Sequence, residues 1–281
     1  QASDRQRPRV RDKSLERSNL LMRTSGNITW TVWKALFLRE AVVRLSSGRA
    51  AWLWILLEPV VHLVFLNVLF ETVRQIMLPG VDGALFITTG VLGFLITQNT
   101  AMRCKDAISA NAALLTYRQV HPIDTVLVRA ALEAALVVIS GLVLLTGLGL
   151  LGYSVMPYDV LQVVLAVAAL WLIGVGMGLI LSVISEMIPE LGKLSAMIFR
   201  PLYILSAVMY PAAVVPAAYQ DVFLLNPLVH GIELIREGYF SPYQYHTVSG
   251  VSAAYIMGFA LVTICLGLAL HVRFVHRIVE R

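Results

Sequence analysis

Hydrophobic residues arrive along this chain in blocks too long for a soluble core. Six runs read as membrane spans, roughly Trp52 to Val73, Ala84 to Ala101, Val126 to Gly152, Val160 to Ile184, Ala196 to Tyr210 and Val251 to His271. A helix needs about 20 apolar residues to cross about 30 Å of hydrocarbon, so the fifth run, ended by Pro211, is short. The stretch after it, Pro211 to Gly250, is too apolar for a solvated loop and too broken for a span. Prolines at 211, 216, 227 and 242 exclude a straight crossing helix. Between them Val222 to Leu225 and Pro227 to Arg236 read as short helices with apolar faces, and the segment is predicted to dip partly into the membrane and return.

Ahead of the first run, Asn27 to Ser47 places Trp30, Trp33, Phe37, Ala41 and Leu45 at helical spacing, with Lys34 and Arg44 at the edges of the stripe. Those two cations can snorkel to headgroups, which predicts a helix lying on the membrane rather than a soluble one. Gln1 to Gly26 carries Arg5, Arg7, Arg9, Arg11, Lys13, Arg17 and Arg23 and reads as a flexible basic arm. Some fifty polar, basic residues before any long apolar run argue against a cleaved secretory signal. The organisation predicted is a basic cytoplasmic arm over 1–26, an interface helix over 27–51, a six-span domain over 52–271 and a cytoplasmic tail over 272–281.

Composition agrees, with 58% hydrophobic residues, 14% charged and a mean hydropathy of +0.77 over 281 residues. These values describe an all-α, multi-pass membrane protein. Of the 22 Lys and Arg, 20 fall on one side of the six spans and only Arg74 and Arg236 on the other. The positive-inside rule then puts both termini in the cytoplasm and the Pro211 to Gly250 dip outside. Cys104 and Cys265 have no metal or disulfide spacing, so metal and redox chemistry drop out. No phosphate-binding G-x-x-x-x-G-K-[ST] loop occurs, and Gly192-Lys193-Leu194 lacks both the loop and the hydroxyl. If ATP is the fuel, another chain binds it. Without two inverted halves, six spans suit a dimeric half-transporter better than a single-chain carrier.

Three sets of residues can carry function. The connector Met102 to Arg129 predicts a short cytoplasmic helix from Asp106, as N-cap, to Tyr117. Ile108, Ala112 and Leu115 form one apolar face and Ala110, Ala113, Leu114 and Tyr117 another, so with Asn111 it reads either as a coupling helix seated in an ATPase groove or as an interfacial connector. Within the first span Glu58 stands beside Pro59, with His62 one turn on and Trp52 and Trp54 before it. A carboxylate at that depth costs roughly 2.5 to 3.5 kcal/mol, which implies either a structural pairing or a place on a substrate path. Tyr203, Tyr210, Tyr219, Phe223, Tyr239, Phe240, Tyr243 and Tyr245 crowd the dip, as an aromatic belt or as rings that stack on sugars. Gly174, Gly176 and Gly178 predict close helix packing, with a dimer seam as one option.

The run Lys34 to Glu40 with Trp52 to Pro59 resembles the amphipathic helix and first span of ABC-2 type permeases, and Asn226-Pro227-Leu228-Val229-His230-Gly231-Ile232-Glu233-Leu234-Ile235-Arg236 resembles their motif after the fifth span. Tyr117 to Thr125 and the ending are similar to the Kps-type inner-membrane permeases that export capsular polysaccharide in Gram-negative bacteria. The resemblance implies a homodimer with two copies of a separate ATPase that holds the ATP and magnesium, no cofactor in this chain, and an acidic lipid-linked polysaccharide as substrate. It also implies a periplasmic adaptor of the polysaccharide co-polymerase type, an outer-membrane channel and no nucleic acid. Mapped here, it makes Asp106 to Tyr117 the coupling helix, Asn27 to Ser47 the interface helix and Pro211 to Gly250 a pair of re-entrant helices. Asn226, Pro227, His230, Glu233 and Arg236 are then a structural signature, Glu233 and Arg236 pairing with each other or with a neighbouring span. The substrate path is expected at Trp52, Trp54, Glu58, His62, Tyr203, Tyr210, Tyr239 and Tyr243. Arg103, Lys105, Arg118 and Arg200 are placed to attract a linker phosphate. Exporters of O antigen, teichoic acid or a small drug share this architecture, while a membrane-embedded transferase or an ion-driven carrier would be a different class.

Overall fold

The computed structural model describes residues 25–46, 53, 54, 57, 60–66, 81–117, 119–241 and 248–279. The basic arm up to residue 24, most of the first predicted span, and Trp52, Glu58, Arg118 and Tyr243 lie outside them. The described residues form helices joined by turns, with no strand among them. The interface helix is α1, Ser25–Ser46. Residues 60–66 are helical. Then come α2 (Gly83–Lys105), α3 (Ala107–Ala110), α4 (Pro122–Leu150), α5 (Val160–Met187), α6 (Pro189–Leu205), α7 (Ala217–Phe223), α8 (Pro227–Tyr239) and α9 (Ala253–Val279).

Local chemistry sets the starts of these helices. The Asp82 carboxylate accepts the Ala84 N–H at 3.1 Å and the Asp159 carboxylate accepts that of Gln162 at 3.0 Å, capping α2 and α5. Pro122, Pro189 and Pro227 stand at first positions, where a missing N–H leaves nothing unpaired. Among the described residues four helices are long and apolar enough to cross a membrane, namely α2, α4, α5 and the Ala253–Phe274 part of α9. The fifth predicted span is α6, which begins at Pro189 rather than Ala196 and ends at Leu205 rather than Tyr210. It starts early because the chain turns a corner at Ile188, from α5 straight into a proline-led helix. It ends early because Ala207 adopts a φ of 57°, a left-handed conformation that no helix can contain.

The central helix is α5, packed mainly on α2 and α9, with α4 against α2 and α8 across α2, α5 and α9. Its GVGMG run makes this possible. A Cβ on Gly174 would lie 2.9 Å from the Thr97 carbonyl oxygen and one on Gly178 2.5 Å from the Cys104 Cβ, both on α2, while Gly176 abuts Thr263 on α9. These glycines therefore serve packing within the protomer. Phe86, Phe94, Leu170, Ile173, Leu228, Ile232 and Ile256 fill the core that α8 closes. The dip after α6 is a chain of short pieces, α7 and α8 included.

The helix expected from Asp106 to Tyr117 is not continuous. It is the single turn α3, then a 3-10 turn over Ala112–Leu114, and Asp106 makes no side-chain cap. Asn111 is the cause, since its amide folds back to donate to the Ala107 carbonyl at 2.9 Å. The two-face pattern changes accordingly: Ile108 is buried and Leu114 and Leu115 are half-buried, whereas Ala110, Ala112, Ala113 and Tyr117 are exposed.

Candidate functional site

Two polar joints hold the bundle, one at each end of α2. At the Lys105 end, α1 presents Trp33, Leu36, Glu40 and Arg44, spaced as one helical face, toward α4 and α3. Trp33 Nε1 donates to Asp124 Oδ1 at 2.8 Å. The other oxygen, Asp124 Oδ2, accepts the His121 N–H at 2.9 Å, so one carboxylate both opens α4 and anchors α1. Glu40 receives Arg129 Nε and Nη2 at 3.1 Å each, a two-pronged pair, and also Asn111 Nδ2 at 2.7 Å. Asn111 Oδ1 accepts from Arg39 Nη1 at 2.6 Å, and Arg129 Nη1 reaches the Arg103 carbonyl at 3.2 Å. Glu133 on α4 faces Arg44 and Arg103, each at 3.7 Å. Asn111, buried and bonded to α1 and α3 together, is the keystone of this joint.

The Asp82 end is held by the 226 to 236 motif. Arg236 and Glu233 are each 0% exposed and pair at 3.1 Å, a buried ion pair that the interior tolerates only with further hydrogen bonds to its ends. Arg236 supplies that bonding: Nη1 donates to the Ala207 carbonyl at 2.7 Å and the Tyr210 carbonyl at 3.2 Å, and Nη2 to the Val208 carbonyl at 2.7 Å. Its guanidinium lies 3.6 Å from the Phe86 ring centroid. Glu233 accepts the Ala212 N–H at 3.3 Å. The bent 206–212 segment, strained at Ala207, is thus pinned by one ion pair. Asn226 caps α8 through the Leu228 N–H at 3.0 Å and donates to the Leu205 carbonyl at 3.0 Å. His230 Nε2 donates to the Leu224 carbonyl at 2.7 Å, and its Nδ1 accepts the Ser252 N–H at 3.0 Å, which sets the tautomer. The four polar side chains of the signature, Asn226, His230, Glu233 and Arg236, all bond to protein.

The described residues expected on a substrate path separate into three places. His62 Nε2 and the Tyr203 hydroxyl meet at 3.0 Å, and Phe94 sets its edge to Tyr203 at 5.0 Å between centroids. His62 also lines, with Trp54, Leu57, Val61 and Phe65, a shallow cavity of about 530 Å³. Tyr239 instead lies buried beside Phe240, on an apolar groove between α2, α4 and α5. Tyr210 donates to the Ile204 carbonyl at 2.8 Å and lies beside Phe223. Among the linker-phosphate candidates, Arg103 lines a polar cavity of about 140 Å³ with Arg44, Glu133 and His62. Lys105 pairs with Asp106 at 2.7 Å, and Arg200 is exposed on α6.

Sequence reasoning missed Glu40, Arg39, Asp124 and Arg129, and counted Arg44 only as an edge. On α1 the face packed on the bundle runs through Trp33, Leu36, Glu40 and Arg44, while Trp30 and Leu45 of the predicted stripe are exposed, as residues facing lipid would be. The signal was the same helical spacing, carried by polar residues that an apolar count passes over.

Comparison with known proteins places the chain in a family. The model of the ABC-2 type transporter family matches residues 31–240. The chain is 36% identical to the polysialic acid transport protein KpsM of Escherichia coli over 85% of its own length and 91% of that protein's. It is 28% identical to the capsule polysaccharide export inner-membrane protein CtrC of Neisseria meningitidis, over 85% of this chain and 89% of CtrC. Similarity to the capsule polysaccharide export inner-membrane protein BexB of Haemophilus influenzae is 27%, over 74% and 79%.

Proposed function

The chain belongs to the ABC-2 type transporter family, and on that premise we propose that it is the permease subunit of an ATP-driven exporter that carries lipid-linked capsular polysaccharide across the inner membrane. The observation that carries the reading is similarity over 85% of the chain to proteins named for polysaccharide transport or capsule export, with four membrane-length helices among the described residues. Two copies of the chain work with a separate ATPase that binds the ATP and magnesium, so this subunit is not itself an enzyme. Further along the path stand a periplasmic adaptor of the co-polymerase type and an outer-membrane channel. Both termini are cytoplasmic and the α7 to α8 dip faces outward.

The joint at the Lys105 end supports this mechanism. Ala112, Ala113, Thr116 and Tyr117 are exposed, where a partner can press on them. Directly behind them Asn111 bonds to α1, and Glu40 carries the contact to Arg129 on α4. A displacement of α3 must therefore move α1 and α4 with it, which is the coupling an ATPase needs. The His62 and Tyr203 pair marks where residues 60–66 and α6 meet, and the polymer passes beside it through a hydrated path between protomers, since a polyanion is costly in hydrocarbon.

Deleting the chain from its host tests the assignment. Polymer should vanish from the cell surface and accumulate inside, and wild-type chain, but not Asn111→Leu, should restore export. Normal surface polysaccharide in the deletion strain, or restored efflux of a small drug without polymer, would refute it.

A further inference from the structure

Between α2, α4 and α5 lies a groove of about 490 Å³, with Ile235 and Tyr239 of α8 in its lining. Val138, Leu142 and Val164 line it and are exposed, so it opens outward between α4 and α5, toward the hydrocarbon that surrounds membrane-length helices. Three of its side chains carry a polar atom. Thr89 donates to the Phe86 carbonyl at 3.0 Å and Trp171 Nε1 to the Ala130 carbonyl at 3.0 Å. Tyr239 differs: it is 8% exposed, and its hydroxyl has no hydrogen-bond partner among the described residues. A buried phenol of this kind ordinarily finds an acceptor.

The position of that hydroxyl and the size of the groove say what the acceptor belongs to. Tyr239 stands where α5 begins, since the Asp159 N–H donates to the neighbouring Gly238 carbonyl at 2.8 Å. From there the lining descends along α5 to Trp171, and its α4 wall, Ala134 to Leu145, is about 16 Å long at ~1.5 Å per residue. That length matches the ~15 Å of one half of a bilayer core. A methylene takes roughly the ~30 Å³ share of one liquid water, so the groove holds a single chain of about 16 carbons. Spread over its length the volume gives a cross-section of about 30 Å², against about 80 Å² for a helix ~10 Å across, which excludes a partner helix. The apolar walls exclude a sugar.

We propose that the groove seats one acyl chain of a glycan-free membrane phospholipid from the leaflet at the Asp82 end, with the Tyr239 hydroxyl donating to the ester carbonyl of that chain. An acyl ester has the required shape, an acceptor at the edge of the core with hydrocarbon beneath it. The site goes beyond the transport reading, because nothing in it requires a polymer or an ATPase. A seated chain touches α8 at Ile235, next to the Arg236 bracket, and ties the dip to the spanning helices.

The test is native mass spectrometry of the full chain in its membrane assembly, released from glycan-free nanodiscs that hold equal amounts of diester and diether phosphatidylcholine of matched chain length. The diether lacks the carbonyl, so the diester should be retained about fivefold in preference, the worth of one hydrogen bond. Tyr239→Phe keeps the ring and should erase that preference while one lipid per chain is still retained. Ala168→Phe, which fills the groove from α5, should remove that lipid, and Ala134→Phe does the same from α4 should the first variant fail to fold. Equal retention of the two lipids by the wild-type chain, a preference that survives Tyr239→Phe, retention undiminished in the filled groove, or a filled groove that keeps its lipid and instead splits the oligomer would each overturn the proposal.

Discussion

Replacing Arg236 by Met keeps its bulk and removes the guanidinium that pins three carbonyls of the bend after α6. Three carbonyls, at Ala207, Val208 and Tyr210, lose their donors, and the Glu233 carboxylate loses its countercharge at 0% exposure. Breaking a buried ion pair from one side costs roughly 3–5 kcal/mol. Each carbonyl left dry adds about 1–3 kcal/mol, reduced wherever water enters the loosened bend. About 5 kcal/mol is a fair lower expectation, and at ~2–4 °C per kcal/mol for a chain of this size the melting temperature should fall by about 10–20 °C. Arg236→Lys keeps the charge but loses the planar fork and should fall between Met and wild type. The assay is thermal unfolding in detergent, followed by loss of the monodisperse elution peak. Adding Glu233→Gln to Arg236→Met separates the two contributions. Removing the orphaned charge should recover part of the loss, while the unpaired carbonyls keep the double variant at least ~2 kcal/mol below wild type. Full recovery would show that the arginine only balances Glu233. A single variant melting within about 2 °C of wild type, less than 1 kcal/mol, would refute the bracket itself.

Asn111→Leu cannot bridge Arg39, Glu40 and the Ala107 carbonyl, and is expected to leave insertion and ATPase association intact while export per ATP hydrolysed drops at least tenfold, measured as polymer release against phosphate release. Gly176→Ala drives a methyl into Thr263 and the Ile264 amide, 2.9 Å from its nitrogen. It should destabilise by about 1–3 kcal/mol, whereas Gly147→Ala, with nothing within 4 Å, should stabilise by ~0.5–1 kcal/mol in the same melting assay. Ala207→Gly relieves a left-handed φ of 57° and should raise stability by about 1 kcal/mol.

How legible this was depended on what each residue type does. Spans two, three, four and six could be read because runs of about 20 predominantly apolar residues admit few other structures. Pro211, Pro227 and Asn226 marked the broken dip for the same kind of local reason. Even the pairing of Glu233 with Arg236 was readable, since residues at i and i+3 on a helix must meet. What could not be read was long-range. Glu40 and Arg129 are 89 positions apart, and nothing in either segment says that the other is near. The coupling segment failed differently: an Ala-rich run promised a continuous helix, and one buried asparagine with tertiary partners overrode propensity. The tyrosines expected to share a path were grouped by composition alone, so Tyr239 was counted with Tyr203 although they pack in different places.

The two joints differ in how firmly they hold, and that difference bears on which parts move. At the Lys105 end the Arg44 and Arg103 side chains are 27% and 50% exposed, each 3.7 Å from Glu133. Pairs that water can enter are worth about 1 kcal/mol or less and exchange readily. At the Asp82 end the Arg236 and Glu233 pair is sealed, and opening it costs several kcal/mol. A push on α3 should therefore carry α1 and α4 together through the bidentate Glu40–Arg129 pair and shift them against α2 long before it detaches α8 from α2. Hydrogen exchange on the assembled exporter, with and without ATP hydrolysis, measures this directly. Amides of 107–117 should exchange faster and change with nucleotide, while those of 212 and 228–236, next to the sealed pair, should remain protected in both states. Equal protection at the two ends, or loss of protection at 228–236 during turnover, would mean that the dip moves as a gate and that the Arg236 bracket opens in each cycle.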